Sequence, residues 1–370
     1  MELEHFFHMN EGDGEHSYSQ NSSAQERAWQ MNKSTLEYAI QSLLSKGGVS
    51  FDNGVINAAD LGCGVGPVPL AFVSLVIHSL QKKLKELKWK NDDKITQLQI
   101  YMNDLPSNDF KWLFRNLFNL DLLKTRNQSG PLCFLFAAPG SYYQRLFPDN
   151  SLHLVHANYT LHWFSKVPKV LSSEERSPIN KGQVYISEAS SELVARSYLK
   201  QFEQDFTQFL ECRSQEMVIQ GRMLLTFRGR PSSSYFFTWQ PWELQIFTTT
   251  LHSLIAEGLI KKEKVDSFNF PYYCGCEKDF ESIIKKQGSF EIEKMKTISH
   301  HVEHKIEDKW EKSKRIANFI RAFSQSLISL HFGEHIVNPL YDKLCHFTFK
   351  YLEDGLPCEH FTVTILLYKN

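Results

Sequence analysis

The stretch that most restricts the fold of this chain is Ala58–Leu70, which has the sequence AADLGCGVGPVPL. An apolar run ends at Asp60, three glycines follow at alternate positions, and a second apolar run begins after Pro67. This order is typical of a buried strand, a tight turn and the helix that follows. In an open α/β sheet such a turn lies at the carboxyl end of a strand, where these sheets bind ligands. We therefore predict an α/β sheet with a ligand site at this turn.

The spacing of the glycines argues against two common classes of nucleotide ligand. A dinucleotide fingerprint needs glycine or alanine where this chain has Pro67, and a Walker loop needs a Gly-Lys-Ser/Thr that does not follow. The remaining pattern, Asp60-Leu-Gly62-Cys-Gly64-Val-Gly66, resembles the first motif of S-adenosylmethionine-dependent methyltransferases. Glycine would let the backbone approach the amino-acid part of that cofactor. A turn that only needs positive φ would also recruit glycine.

Asp104 is a second candidate ligand residue, because it ends the apolar segment LQIYMND. A carboxylate at the end of a strand can accept hydrogen bonds from both ribose hydroxyls of an adenosine. An ordinary surface aspartate at a strand end is the alternative. Since the glycine turn and the acid occur together, we predict an adenosine-containing cofactor.

Composition limits the partners and the compartment of the chain. Lys+Arg 41 and Asp+Glu 42 nearly cancel, so we predict no binding to nucleic acid. No segment approaches the roughly 18 unbroken apolar residues of a membrane span, and the polar N-terminus does not resemble a signal peptide. The seven scattered cysteines suit free thiols in a reducing compartment. We therefore predict a cytoplasmic protein that does not bind membranes.

Strand-like and helical segments alternate along the chain, which predicts a doubly wound α/β sheet with its last strand near the C-terminus. Long amphipathic segments between the later strands exceed what a minimal sheet needs. Strand-like segments resume after each of them, so we predict a single domain over residues 1–370. The insertions that would form an α-helical cap over the mouth of the sheet lie at about 165–216, 229–287 and 300–358.

Further motifs match a known family. They are HMNEGDGEHSYSQNSSAQ, NDLPSNDF, PGSYYQRLFP, LHWFSKVP, NKGQVYISE, VDSFNFPYY and LHFGEHIV. With these motifs in the same order, the chain resembles the plant SABATH methyltransferases, the salicylate, benzoate, jasmonate and caffeine-type enzymes. The resemblance implies a Rossmann-like methyltransferase sheet with an inserted α-helical cap and a homodimer. It also implies that S-adenosyl-L-methionine donates a methyl group to a carboxyl group or, in the caffeine branch, to a ring nitrogen.

The resemblance assigns the cofactor contacts residue by residue. They are Tyr18, Ser22, Asp60, Gly62, Gly64, Asp104, Leu105, Ser141 and Tyr142. The family usually has phenylalanine in place of Tyr142. Its glycine loop is close to D-L-G-C-S-S-G-P-N, so this chain departs from it at Gly64, Val65 and Val68. Any cofactor contact made by the family's asparagine is absent here.

The resemblance also assigns Gln25 and Trp163 as the donors that hold an acceptor carboxylate. Gln25 could instead be a first-turn helix residue, and Trp163 a core aromatic. A carboxylic acid of pKa about 4 to 5 is already ionised at neutral pH, so its methylation needs no catalytic base. Because caffeine-type enzymes tend to carry an aromatic residue at the position of Gln25, that residue favours a carboxyl acceptor. The other predicted pocket residues are Tyr159, His162, Trp242, Tyr273 and Phe323.

Some family members bind a magnesium ion, and the matching residues here are Asn180, Asp266, Phe268 and Asn269. Oxygen ligands suit such a hard cation, although the alternative is that these groups serve only to connect loops. The function expected from the resemblance is methyl-ester formation on a small aromatic, terpenoid, jasmonate-like or alkaloid carboxylic acid. N-methylation of a xanthine or another heterocycle is the alternative. The third alternative is a non-catalytic binding protein whose altered glycine loop has lost its affinity for the cofactor.

Overall fold

The computed structural model describes residues 7–45, 49, 51, 54–87, 95–124, 131–172, 178–231, 239–303 and 305–370. Seven strands form one sheet within these ranges. The strands are β1 Val55–Leu61, β2 Gln97–Asp104, β3 Leu132–Pro139, β4 Leu152–Asn158, β5 Met217–Gly229, β6 Phe290–His301 and β7 Glu359–Lys369.

The strand order is β3-β2-β1-β4-β5-β7-β6. Neighbouring strands from β3 to β5 are parallel, whereas β7 runs antiparallel to both β5 and β6. The strand order switches between β1 and β4: β2 and β3 are added on one side of β1, and β4 and β5 on the other. The carboxyl ends of β1, β2 and β4 therefore form the crevice that binds ligands in such sheets. The predicted fold class, a methyltransferase sheet with added helices, is confirmed.

Eleven α-helices are described around the sheet. They are α1 Ser23–Leu43, α2 Pro67–Leu87, α3 Phe110–Leu117, α4 Asp121–Lys124, α5 Lys169–Ser172, α6 Glu192–Glu216, α7 Trp242–Ala256, α8 Lys262–Asp266, α9 Glu277–Gln287, α10 Lys309–Phe332 and α11 Val337–Glu353. Over the described ranges, no helix has the length and apolarity needed to cross a bilayer.

Two apolar cores hold the helices on the sheet. One joins α1 and α2 to β1 and β2 through residues such as Leu36, Phe72 and Ile100, which are at most 1% exposed. The other joins α6 and α9 to the sheet and continues into the layer in which α10 and α7 pack on α11. The boundaries of the cap insertions stay predictions, and their segments 173–177, 232–238 and residue 304 lie outside the described residues.

The end of β2 ties together the two turns beside it. The backbone N–H of Cys63 donates to the carbonyl of Asn103 at 2.9 Å, which fixes the turn after β1. The buried Asn103 amide donates to the carbonyls of Ala138 and Gly140, at 2.7 and 2.9 Å, which fixes the turn after β3. Both turns therefore face one crevice in a defined geometry.

Candidate active site

The glycine turn after β1 needs its glycines for two physical reasons. Gly62 and Gly64 have φ angles of +66° and +60°, in the left-handed region that favours glycine. A Cβ on Gly62 would lie 2.5 Å from the Cγ2 of Thr160, and one on Gly64 would lie 3.3 Å from the ring of Tyr18. The substitution of glycine for the family's usual serine at position 64 therefore suits the backbone that this chain adopts.

Asp104 lies half-buried at the end of β2, beside the glycine turn. Its two carboxylate oxygens accept hydrogen bonds from the backbone N–H groups of Gly64 and Leu105, both at 2.7 Å. Burial raises the pKa of this carboxyl group to about 6, although the two hydrogen bonds act in the opposite direction. Each oxygen keeps a further lone pair. The carboxylate can therefore fix the turn and also accept hydrogen bonds from a ligand.

A cavity of about 460 Å³ opens over these two turns. Most of the predicted cofactor residues line it: Tyr18, Gly62, Gly64, Asp104, Leu105, Ser141 and Tyr142. We call it the main cavity. Its volume falls within the usual range for small-molecule sites, about 300–1,000 Å³. The backbone exposed at Gly62 and Gly64 and the Asp104 carboxylate beside it give a surface that fits S-adenosylmethionine.

Two predicted cofactor residues do not line the main cavity. The Oδ1 of Asp60 accepts from the Nδ1 of His156 at 2.7 Å, with both side chains buried, and the His156 ring stacks on Phe72. Ser22 is buried beside Gly66, where its hydroxyl has no described hydrogen-bond partner. The predicted direct contacts of Asp60 and Ser22 with the cofactor would therefore require these residues to move.

The turn after β3, which carries Ser141 and Tyr142, is held by a buried ion pair at the end of α6. Arg213 donates to the carbonyls of Tyr142 and Gln144, both at 2.9 Å, and its Nε lies 2.7 Å from the Oε2 of Glu216. Glu216 in turn accepts from the N–H of Leu146 at 2.6 Å. Both charged side chains are fully buried. This pair was not predictable from the sequence, because nothing in the local sequence indicates which distant loop it holds.

One wall of the main cavity is a polar face of α6 that the sequence-based predictions did not include. It consists of Gln201, Gln204, Asp205 and Gln208. These residues recur at the i, i+3, i+4 and i+7 positions of one helix face, so their spacing was the available signal. Asp205 also accepts from the N–H and hydroxyl of Ser165, at 2.9 and 2.6 Å. This wall offers amide and carboxylate groups to a polar ligand.

A second, smaller cavity of about 40 Å³ adjoins the main cavity, and we call it the inner cavity. Met9, Tyr18, Tyr159 and Trp163 line both cavities and so mark their junction. The predicted acceptor residues Gln25, His162 and Phe323 also line the inner cavity. Gln25 is both a first-turn residue of α1 and a lining residue, and its Oε1 has no described hydrogen-bond partner.

Trp163 is held at the junction by a segment from elsewhere in the chain. It forms an isolated antiparallel bridge with Tyr272, and the two rings lie 5.1 Å apart. The rings of Phe7 and Phe323 lie 4.6 and 5.7 Å from the Trp163 ring. The N-terminal segment is fixed in turn, because Asn10 donates its N–H to the carbonyl of Ala322 at 2.9 Å. The indole is therefore enclosed by aromatic rings.

Two predicted wall residues lie away from the inner cavity, and their neighbours in sequence line it instead. Tyr273 points toward Asp279, to which its hydroxyl donates at 3.1 Å, whereas Tyr272 lines the cavity. Adjacent residues of an extended segment point in opposite directions, which explains this difference. Trp242 donates its indole N–H to the carbonyl of Glu359 at 3.1 Å, and Glu243 lines the cavity.

His162 is a neutral hydrogen-bond donor rather than a base. Burial, followed by the positive charge of Arg228, lowers the pKa of His162 to about 3. The Nδ1 of this ring accepts the backbone N–H of Arg228 at 3.4 Å, so the proton of the neutral ring lies on Nε2. The inner cavity therefore has N–H donors from His162, Gln25 and Trp163, and Trp163 lies at the junction.

Tyr159 occupies the junction with a strained backbone. Its φ angle is +58°, which is rare for a bulky residue. Two hydrogen bonds hold it there: its N–H donates to the carbonyl of Thr226 at 2.8 Å, and its hydroxyl lies 2.6 Å from the Oγ1 of Thr362. Such strain is found where the surrounding structure positions a functional side chain.

The residues that resemble a magnesium site make contacts with protein groups instead. Asp266 accepts from the Nζ of Lys262 at 2.8 Å and from the N–H of Gly182 at 2.9 Å. The amide of Asn180 donates to the Oδ1 of Asn269 at 2.8 Å. With an ammonium group on the only carboxylate and an amide nitrogen on the Asn269 oxygen, Asn180, Asp266, Phe268 and Asn269 do not fit a magnesium ion. Their contacts connect α8 to the loop before α6.

Comparison with known proteins agrees with this geometry. A family model described as SAM dependent carboxyl methyltransferase matches residues 4–370. A 3,7-dimethylxanthine N-methyltransferase of Camellia sinensis var. assamica is 40% identical over 94% of this chain and 92% of its own length. A 7-methylxanthine methyltransferase of Camellia ptilophylla is 38% identical over 94% of each chain. The solved structure of a loganic acid methyltransferase with SAH superposes with a TM-score of 0.84, at 30% identity over 98% of this chain and 99% of that one.

Proposed function

This chain belongs to the S-adenosylmethionine-dependent carboxyl methyltransferase family, and we propose that it methylates the carboxylate of a small organic acid. The acid is of the aromatic, terpenoid, jasmonate-like or alkaloid class. When bound, S-adenosylmethionine supplies the sulfonium methyl group that the acceptor oxygen displaces in line. The residues of this chain bind both molecules, orient the acceptor and exclude water.

The observation that carries the proposal is the presence of N–H donors in the inner cavity, one of which, Trp163, lies at the junction with the main cavity. Gln25, Trp163 and His162 can donate to a carboxylate, and His162, with a pKa of about 3, stays neutral at physiological pH. Among the described residues of the inner cavity, Glu243 and His360 are the remaining candidate bases; Glu243 is paired with Arg228, and burial lowers the pKa of His360 well below its usual value. An acceptor that is already ionised needs no proton removal, which is the case for a carboxylate.

N-methylation of a xanthine is the second candidate function. The two Camellia relatives named above, at 40% and 38% identity, are xanthine methyltransferases, whereas the 30% identical solved structure is that of an acid methyltransferase. A xanthine ring N–H must lose a proton during the reaction. The two candidates therefore differ in the chemistry that the protein must supply. The predicted homodimer and cytoplasmic location belong to this proposal.

The product distinguishes the two candidates directly. The protein is incubated with methyl-labelled S-adenosylmethionine and a panel of carboxylic acids and xanthines. A methyl ester releases labelled methanol in mild base, whereas an N-methyl group is stable. We expect base-labile product from at least one acid, with a rate that is flat between about pH 7 and 9 because the acid is fully ionised there. Base-stable label from xanthines alone would select N-methylation instead.

Gln25→Glu is expected to lower kcat/KM for an acid acceptor by about a hundredfold. The substitution keeps the shape of the side chain but replaces its N–H donor by a carboxylate oxygen, which repels the acceptor carboxylate. Initial rates over a range of acceptor concentrations test this. Gln30→Glu is the matched control, because Gln30 is an exposed residue of the same helix that lines neither cavity. Equal losses in the two variants would contradict the role of Gln25.

The raised pKa of Asp104 predicts a pH dependence of cofactor binding. Protonation below a pKa of about 6 removes the charged acceptor for the ribose hydroxyls. We expect the Kd of S-adenosylhomocysteine to be constant above pH 7 and to rise toward tenfold per pH unit below about pH 6. Calorimetry at stepped pH measures this. A Kd that is unchanged down to pH 5 would show that Asp104 does not bind the cofactor as a carboxylate.

A further inference from the structure

The inner cavity contains a polar cluster that methyl transfer itself does not use. Arg228, Glu243 and His360 line it together with Tyr272 and Phe319. The Nη2 of Arg228 lies 2.9 Å from the Oε1 of Glu243, and the Nε2 of His360 lies 3.6 Å from the same oxygen. All three side chains are at most 5% exposed. We call these three residues the inner cluster.

The inner cluster lines the inner cavity but not the main cavity. The residues shared with the main cavity are at the junction, and Arg228, Glu243 and His360 are not among them. An acceptor whose reacting group lies beside Trp163 would direct its opposite end toward the cluster. The cluster is therefore placed to contact the body of the acceptor.

The hydrogen-bonding capacity of the inner cluster is not filled by the protein. The Oε2 of Glu243 is buried and has no hydrogen-bond partner among the described residues. The same holds for both nitrogens of His360. Burial lowers the pKa of His360 well below its usual value, so its ring is neutral and offers one N–H and one lone pair. A buried hydrogen-bond acceptor that is left unpaired costs free energy. A ligand with a matching hydrogen-bond donor would recover this free energy.

A purely structural role explains the inner cluster less well. Buried ion pairs are often no more stabilising than apolar residues of similar volume. The surrounding wall is aromatic, with Tyr272, Phe319 and Phe323, and an apolar pair would continue it. Sites built to hydrogen-bond a substrate discriminate strongly against analogues that lack the matching group. The charges and the unpaired oxygen of Glu243 therefore indicate that this part of the cavity selects a polar methyl acceptor.

We propose that the inner cluster binds a hydrogen-bond donor, a hydroxyl or a ring N–H, on the end of the acceptor remote from the methylated atom. Glu243 accepts that hydrogen bond through Oε2, while Arg228 orients the carboxylate. The inference rests on the proposed function only in that the acceptor occupies the inner cavity. It names the acceptor as a hydroxylated acid or, under N-methylation, as a heterocycle that retains an N–H.

Matched acceptor pairs test the inference on the full-length protein loaded with S-adenosylhomocysteine. The acid pairs are benzoate with 4-hydroxybenzoate and cinnamate with 4-hydroxycinnamate. The heterocycle pair is 1,7-dimethylxanthine with 7-methylxanthine, which keeps a second ring N–H besides the one that a methyl group would replace. Calorimetry gives the ratio of the two Kd values within each pair. We expect at least one donor-bearing member to bind about tenfold or more tightly than its partner.

The double variant Arg228→Leu/Glu243→Leu removes both charges at once and so leaves neither of them buried alone. We expect it to bind the two members of that pair equally and to keep the affinity of the wild type for S-adenosylhomocysteine. Glu243→Gln, which keeps the shape of the side chain, should lower the preference by several-fold. The matched control is Arg222→Leu/Glu293→Leu, which removes an Arg–Glu pair at 3.0 Å that lines neither cavity and should retain the preference.

Three results would overturn the inference. They are equal binding of both members of every pair by the wild type, a preference that survives in the Arg228→Leu/Glu243→Leu variant, and binding of no donor-bearing member. Failure of carboxyl methylation is a separate result, because it appears as the absence of base-labile product whatever the binding ratio.

Discussion

Asp104→Asn is expected to raise the Kd of S-adenosylhomocysteine by about a hundredfold at pH 8. The substitution removes the negative charge that would accept the ribose hydroxyls, and hydrogen bonds to charged groups contribute about 1.5–3 kcal/mol each. It also leaves either Gly64 or Leu105 facing an amide N–H in place of an acceptor oxygen. Both effects weaken cofactor binding, and calorimetry measures their sum.

Asp109→Asn provides the matched control for this experiment. Asp109 is the N-cap of α3, where it accepts from the N–H of Trp112 at 2.8 Å, and it does not line the main cavity. We expect a loss of stability of about 1 kcal/mol or less and a Kd within about threefold of the wild type, because asparagine is also a good N-cap. Equal weakening by the two substitutions would mean that Asp104 acts only through general stability.

Arg213→Met is expected to lower the free energy of unfolding by about 3–5 kcal/mol. The substitution removes the fully buried partner of Glu216 and leaves this buried carboxylate with Arg145, which is 38% exposed and lies 3.4 Å away. Removal of one member of a buried pair has this cost. The carbonyls of Tyr142 and Gln144 also lose their donors, so cofactor affinity should fall with stability. Urea denaturation with and without S-adenosylhomocysteine measures both quantities.

Arg196→Met is the control on the same helix. Arg196 pairs with Glu192 on the exposed side of α6, where an i,i+4 ion pair contributes about 0.3–0.5 kcal/mol. The double variant Arg213→Met/Glu216→Leu should recover part of the lost stability, since no charge is then buried alone. If Arg213→Met were no more destabilising than Arg196→Met, the buried pair would not hold the turn after β3.

The parts of this structure that the sequence predicted are those set by local patterns. Alternating apolar segments placed the strands, and the turn chemistry of Gly62 and Gly64 placed the ligand crevice, because both depend on neighbouring residues. Asp104 was predictable because strand ends in parallel sheets converge on one edge. The resemblance to a family then supplied residues such as Gln25, whose role no local pattern reveals.

The parts that the sequence did not predict depend on contacts between distant segments. Whether Tyr272 or Tyr273 faces the inner cavity is decided by the bridge between Tyr272 and Trp163. The placement of Arg228 and Glu243 depends on how α7 packs beside β5, and they lie 15 residues apart in sequence. Patterns within a single sequence do not indicate which distant segments are in contact. They therefore cannot predict which of two adjacent side chains faces a cavity, or which distant residues form a buried ion pair.

The residues that line the inner cavity fall into two classes, those that also line the main cavity and those that do not. Tyr18, Tyr159 and Trp163 line both cavities, so under the proposed function we expect a change there to alter cofactor affinity and acceptor scope together. Arg228 and Phe319 line the inner cavity alone, so we expect substitutions there to act mainly on the acceptor. Directed evolution for new acceptors should therefore begin with libraries at the inner positions.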